Sequence, residues 1–260
     1  MDASVASITP AALRQSLQSD RPPLVIDVRR CERFLESGHM IDGALYRDPA
    51  KLEDWKKTLP AGAQIVVYCV HGHEVSQGVA RALGARYLEG GIEAWQGSMD
   101  GKPKGAATRW VTRERPKIDR IACPWLIRRF VDPQAEFLYV PPKDVKGIGA
   151  ERQAVPYDIP DVRFSHDGER CSFDAFLRHY RLESDPALRE LAVIVRGADT
   201  NRMELAPQAA GLAAISLGLS RNFPDDLAML EHGMVMYDAL YAWCRNGKEE
   251  IHTWNPAMYR

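Results

Sequence analysis

The chain of 260 residues has no Cys-x-x-Cys pair and no apolar run near membrane-spanning length. Its five cysteines, Cys31, Cys69, Cys123, Cys171 and Cys244, are odd in number and widely spaced. That pattern argues against a disulfide framework and fits a reducing compartment. The first residues, Met1–Asp2–Ala3–Ser4, lack a basic stretch leading into an apolar one, so a cytoplasmic protein without a membrane partner is expected. Net charge is nearly absent as well. Against 35 acidic residues stand 34 Lys and Arg, a formal balance of −1, so no global basic field points to nucleic acid. No internal repeat or low-complexity segment stands out. What remains is an ordinary 45% hydrophobic content, enough to bury the core of one large domain or two ordinary ones.

Strands and helices alternate in the first hundred residues. Thr9 and Pro10 form a helix-start signal ahead of a helix over Ala11 to Gln18, which Arg21–Pro22–Pro23 breaks. Leu24–Asp27 reads as a buried strand ending on an acid, Cys31–Phe34 as the start of a short helix, 38–44 as a loop and 50–58 as a polar-faced helix. The apolar run Gln64–Tyr68 leads into Cys69–Val70–His71–Gly72–His73–Glu74–Val75–Ser76, and then into a short amphipathic helix with a glycine stop at Gly84. Alternation of this kind implies a parallel sheet covered on both faces, with its ligand site at the carboxyl ends of the strands. Asp27 and Cys69 both fall at such ends. Residues 1–100 are expected as the first domain, the polar, glycine-rich stretch around 101–107 as the linker (its composition begins to change at Gly97), and 108–260 as the second domain.

A strand, a tight loop opening on a cysteine and a helix form a recurring cradle for a reactive thiolate, because loop N–H groups and the positive helix end converge on the sulfur. Here the N-terminal third resembles the rhodanese family. The resemblance rests on Asp27–Val28–Arg29, on Glu32–Arg33–Phe34 followed by Gly38–His39–Met40–Ile41–Asp42–Gly43–Ala44, on Tyr68–Cys69-x-x-Gly72, and on Leu88–Glu89–Gly90–Gly91–Ile92–Glu93–Ala94–Trp95. It spans roughly 5–100 and implies sulfur transfer, with Cys69 as the catalytic residue that takes sulfane sulfur from a small anionic donor, forms a persulfide and passes it to an acceptor the sequence does not name. The substrate-binding set is then Asp27, Arg29, His71, Gly72, His73, Glu74, Val75 and Ser76. The chain departs from the family at Glu74, where such loops often carry a cation. A carboxylate facing the pocket would repel thiosulfate, and an inert thiol in a pure binding module is the competing reading. Cys69–x–His71–x–His73 also offers soft sulfur and two imidazoles to zinc or copper, although alternate residues of a tight loop seldom converge.

The second half is expected to be mainly helical, an α (α+β) domain behind the α/β parallel-sheet one. Brief strands are expected at 110–112 and 137–140, extended chain over 155–160, and helices over 119–131 with Pro124 inside, 172–179, 188–195, 207–219 and 225–245. Arg109 to Phe130 holds seven cations and two acids, a cluster able to receive an oxyanion, with Arg120 as a candidate contact; a solvated face of structural ion pairs is the plainer account. That stretch resembles the C-terminal domain of bacterial chromate-resistance proteins of the ChrB type. So do Phe164–Ser165–His166-x-Gly168–Glu169–Arg170–Cys171–Ser172–Phe173–Asp174, Arg196–Gly197–Ala198–Asp199–Thr200, the 205–212 segment and the 237–244 helix. The resemblance covers about 108–247 and implies a tie to chromate sensing or resistance, in some members through transcriptional regulation. His166, Glu169, Asp119 and Asp199 would make a nitrogen-and-oxygen site suited to zinc, iron or manganese; a hydrogen-bonded polar turn is the alternative. His232, on a methionine-rich helix, is expected in the core. Cys123, Cys171 and Cys244 are expected as packing, with chromate reduction as the other use for their thiols.

Three functions follow: a sulfur carrier or sulfurtransferase linked to chromate or oxidative stress, a chromate sensor or regulator without turnover, and a redox enzyme with a metal near His166. DNA is not the favoured partner, since net charge is near zero and no helix-turn-helix is evident.

Overall fold

The computed structural model describes residues 5–59, 62–101 and 107–248. The first half builds β1 (Ser7–Ile8), α1 (Pro10–Ser16), β2 (Leu24–Asp27), α2 (Cys31–Glu36), β3 (His39–Ile41), β4 (Leu45–Tyr46), α3 (Leu52–Trp55), β5 (Ile65–Tyr68), α4 (Glu74–Leu83), β6 (Arg86–Leu88) and β7 (Met99–Gly101). Five of its strands form one parallel sheet in the order β1-β6-β5-β2-β4. Leu24–Asp27 is buried at every position, which is why it reads as an unbroken apolar run rather than an alternating one. Thr9 caps α1 by accepting from the Ala12 N–H at 3.2 Å, with Pro10 in the first turn. Gly84 ends α4 in the left-handed region at φ 61°.

The pairing of β2 with β5 sets Asp27 beside Tyr68, so Arg29 and Cys69, two residues and one residue further on, leave the sheet at the same edge. This register is the fold's contribution to the first candidate site.

The second half builds β8 (Arg109–Arg113), α5 (Asp119–Leu126), β9 (Glu136–Val140), α6 (Val145–Arg152), β10 (Val155–Pro156), α7 (Ser172–His179), α8 (Pro186–Asp199), α9 (Gln208–Asn222) and α10 (Asp226–Ala242). Its three strands form a small parallel sheet, β10-β8-β9. Pro124 does not stop α5. A proline cannot donate to the carbonyl four residues earlier, and here the Arg120 carbonyl accepts from the Tyr139 hydroxyl at 3.1 Å instead. Trp125 is fully buried among Phe130, Phe173, Tyr237 and Tyr241.

The halves share one apolar cluster that runs from Leu45, Trp55 and Val67 to Trp110, Phe130 and Phe176. Polar ties cross the same boundary. The buried Arg47 donates to the Phe130 carbonyl at 2.6 Å, and Arg181 donates to the carbonyls of Asp42 and Gly43. Asp100 accepts from Arg163 at 2.8 Å and pairs with His179 at 3.1 Å.

Several elements differ from expectation. The expected loop at 38–44 contains β3, which pairs antiparallel with β7, a strand at the edge of the expected linker. Residues 102–106 of that linker, and the tail with His252 and Trp254, lie outside the described residues. Helix α6, with two glycines and no clear apolar face, adds a helix between β9 and β10. Asp199, expected in a loop, is the last residue of α8. His232 is exposed rather than in the core, stacked on Phe223 at 4.1 Å between ring centres. Among the described residues, no helix is long and apolar enough to cross a membrane.

Candidate functional site

Two sites emerge, one in each half. The first is the Cys69 loop. Cys69 is 7% exposed, and its Sγ lies 3.1 Å from the Ser76 hydroxyl. The same hydroxyl lies 3.2 Å from the His73 carbonyl. A hydroxyl with one proton can therefore accept from a thiol while donating to His73, or turn and donate to an anionic sulfur. The ten-residue helix α4 begins at Glu74, so its positive end opens beside the loop. The loop itself is clamped from the far side: the N–H groups of Ile92 and Glu93 donate to the carbonyls of Cys69 and Val70, and the Gln77 amide donates to Gly72.

A cleft of about 530 Å³ opens over Cys69, walled by Arg29, Arg30, Arg33, His71, His73, Glu74 and Glu93. Glu74 lines it, and three arginines share the wall. Arg29 is held by Asp27, whose carboxylate takes its Nε and Nη2 with the shortest contact at 2.6 Å, and by the His39 carbonyl. Asp27 is fully buried and also accepts from the Tyr68 hydroxyl, so it orients Arg29 rather than facing a ligand. Burial opposes the Arg29 charge, but Asp27 more than offsets it and raises its pKa. Arg30 is exposed, and Arg33 pairs with Glu36 at the surface. His71 pairs with Glu93 at 2.9 Å. The three groups that could hold a metal among the described residues lie elsewhere, so the loop does not gather Cys69, His71 and His73 as ligands.

The second site gathers residues from four segments of the other half. Asp119 opens α5, Asp199 closes α8, His166 lies in the turn before α7, and Asp158 follows β10 in a left-handed conformation at φ 52°. His166 Nε2 sits 3.4 Å from Asp119, 3.4 Å from Asp158 and 3.2 Å from Asp199. Asp119 and Asp158 are buried, whereas the His166 side chain is 42% exposed. Arg113 and Arg120 reach Asp158 at 2.6 and 3.2 Å, and the Ser172 hydroxyl reaches its other oxygen at 3.1 Å.

The electrostatics follow from three carboxylates around one imidazole. The carboxylates of Asp119 and Asp158 beside its ring push His166 up to about 10. Burial, then the charges of Asp119 and Asp158, push Asp199 up to about 8. Burial also raises Asp119. Burial pushes Asp158 the same way, but His166 and Arg113 outweigh it and hold its pKa below the ordinary carboxylate value. Burial and the Asp119 charge push the thiols of Cys123 and Cys171 up.

Of the residues expected here, His166, Asp119 and Asp199 come together. Glu169 does not: its carboxylate is 82% exposed and pairs with Arg202 at 2.9 Å, because the turn at Gly168 carries it outward. Asp158 stands where Glu169 was expected. The sequence signal for it was thin, an acid between two prolines in a stretch read as extended. Arg120 belongs to this second site and does not line the Cys69 cleft: its guanidinium is taken up by Asp158 and by the carbonyls of Arg113 and Glu114. A third cluster, Asp42, Asp100 and His179, spans the boundary between the halves.

Comparison with known proteins finds a match in each half. A family model of the rhodanese-like domain matches residues 9–98, and one of the ChrB C-terminal domain matches residues 110–244. Protein ChrB of Cupriavidus metallidurans is 35% identical over 133 residues, which is 51% of this chain and 40% of that protein. The chain therefore covers less than half the length of that relative. Among solved structures, a rhodanese-like domain protein from Staphylococcus aureus is 24% identical, with a TM-score of 0.34, over 38% of this chain and 99% of the other. A rhodanese-related protein from Thermoplasma volcanium is 24% identical, with a TM-score of 0.31, over 35% and 89%. The chain carries a rhodanese-like domain ahead of a second half by which it belongs to the ChrB C-terminal domain family.

Proposed function

We propose that the chain is a sulfur carrier of the rhodanese kind acting in a chromate response, with Cys69 as its nucleophile. The observation that supports this best is the setting of the Cys69 sulfur, 3.1 Å from a hydroxyl and at the base of a cleft walled by Arg29, Arg30 and Arg33. The Cys69 thiolate attacks the outer sulfur of thiosulfate. A sulfur–sulfur bond forms to Cys69, the sulfur–sulfur bond of thiosulfate breaks, and sulfite leaves with the electron pair. The Cys69 persulfide then gives its outer sulfur to a nucleophilic acceptor, and the thiolate returns. Each bound species is an anion. Ser76 donates to it, the α4 end favours it, and the exposed Arg30 on the cleft wall sets a cation against Glu74. The chromate role rests on similarity to Protein ChrB over 40% of that protein's length.

Sulfite release from thiosulfate, with cyanide as acceptor, tests the chemistry. Wild type releases sulfite and Cys69→Ser does not. Arg30→Glu slows loading by roughly 2–5-fold, the worth of one exposed charge, and less at high salt. Complementation tests the context: Cys69→Ser fails to restore chromate tolerance to cells lacking the protein. Full tolerance with Cys69→Ser contradicts the chromate role of the sulfur site.

A further inference from the structure

We propose that Asp119, Asp158, His166 and Asp199 form a binding site for one divalent transition-metal ion, a site separate from the sulfur chemistry at Cys69. The first ground is geometric. A ring nitrogen carries at most one N–H and can direct it at one acceptor, yet His166 Nε2 has three carboxylate oxygens at 3.4, 3.4 and 3.2 Å. All three exceed the ~2.7–2.9 Å of a charge-assisted hydrogen bond. Those of Asp119, Asp158 and His166 suit atoms that share an ion. Two ligand atoms each about 2.1 Å from a metal lie about 3.0 Å apart at a right angle and about 3.4 Å apart at the tetrahedral angle. The atoms offered by Asp119, Asp158 and His166 all lie within 4.8 Å of one another, as do those of Asp119, Asp199 and Cys171.

The second ground is independent of the carboxylates. Cys123 lies one helical turn after Asp119 and is 0% exposed, and its thiol makes no hydrogen bond among the described residues. A buried, unpartnered thiol thus lies one helical turn from Asp119, and the fully buried Cys171 offers its sulfur within 4.8 Å of Asp119 and Asp199.

The surroundings hold these groups as an outer shell holds ligands. Ser172 donates its N–H to Asp119 at 3.3 Å and its hydroxyl to Asp158 at 3.1 Å. Arg113 and Arg120 fix the second Asp158 oxygen. One nitrogen and three carboxylates are hard to borderline donors, which select manganese, iron or zinc over copper(I). The half-exposed His166 marks the entrance, and the buried acids form the floor.

The test is equilibrium dialysis of chelator-treated full-length protein against Mn²⁺ and Zn²⁺, with paramagnetic resonance of bound Mn²⁺. One ion per chain is expected. Affinity falls by at least about 10-fold in His166→Gln and Asp199→Asn. Both are near-isosteric, and retained circular dichroism with an unchanged urea midpoint of the full-length protein shows that they fold. His179→Gln, in the Asp42–Asp100 cluster, binds as wild type does. Failure of both ions to bind at submillimolar concentration overturns the proposal. So does unchanged affinity in His166→Gln and Asp199→Asn, or loss of the ion in His179→Gln alone.

Discussion

Replacing Gly72 by alanine tests whether the Cys69 loop is held in one shape. Gly72 has φ +73°, and a Cβ there would stand 2.5 Å from the Leu88 carbonyl oxygen, 2.8 Å from Gly90 N and 2.9 Å from Gly91 N. The left-handed backbone costs an L-residue roughly 1–2 kcal/mol. The three contacts are to backbone, which cannot swing aside, and displacing a packed turn costs about 1–3 kcal/mol more. Gly72→Ala should therefore lose about 2–5 kcal/mol. Gly78 supplies the control. It lies on the exposed face of α4, and a Cβ there meets nothing within 4 Å. Gly78→Ala should gain about 0.5–1 kcal/mol from helix propensity and unfolded-state entropy. Urea unfolding followed by tryptophan fluorescence reads both changes, and the rate of sulfur loading from thiosulfate reads the loop. Gly72→Ala should load at least about 10-fold more slowly, since the loop must open to admit the methyl group. A Gly72→Ala midpoint equal to wild type, or a loss as large in Gly78→Ala, would refute the reasoning.

Other outcomes follow from the same contacts. Trp125→Ala removes a fully buried ring and its hydrogen bond to Asp238, and should cost about 3–5 kcal/mol by urea unfolding; a loss below about 1 kcal/mol contradicts the packing. Ser76→Ala should slow sulfur loading while leaving the urea midpoint within about 1 kcal/mol, because the hydroxyl, and not the fold, is removed. Burial pushes the Asp100 carboxyl up, but hydrogen bonds with His179, Asp42 and the Gly43 N–H win and hold its pKa below the ordinary range. The stability it lends is complete above the unfolded carboxylate pKa and fades as pH falls from about 4, so the acid loss should be shallower in Asp100→Asn. Asp42 works in the opposite sense, since burial and Asp100 raise its pKa.

The legible parts of the fold were those with a local cause. The apolar runs at β2 and β5 show in the sequence because both strands are buried in the middle of a sheet, and α7 shows because its apolar face has a helical period. Cys69 could be found because a cysteine between an apolar run and a helix has few other uses. What escaped notice depends on distant partners. β7 is a polar edge strand recognisable only by its pairing with β3. α6 has two glycines and no clear apolar face. Asp158 enters its site through a left-handed turn and is fixed by Arg113 and Arg120, neither of them near it in sequence. Glu169, close to His166 along the chain, is turned away by one glycine, so proximity in sequence misled. Arg29, Arg30 and Arg33, from the segment after β2, line the cleft beside Glu74, and the sequence around Cys69 alone does not announce them there.

The central claim, a working sulfur carrier at Cys69, is tested most directly by the intact-protein mass after incubation with thiosulfate. A one-sulfur adduct is predicted on wild type, lost on cyanide treatment and missing in Cys69→Ser. An unchanged wild-type mass, or an adduct that persists in Cys69→Ser, would contradict it.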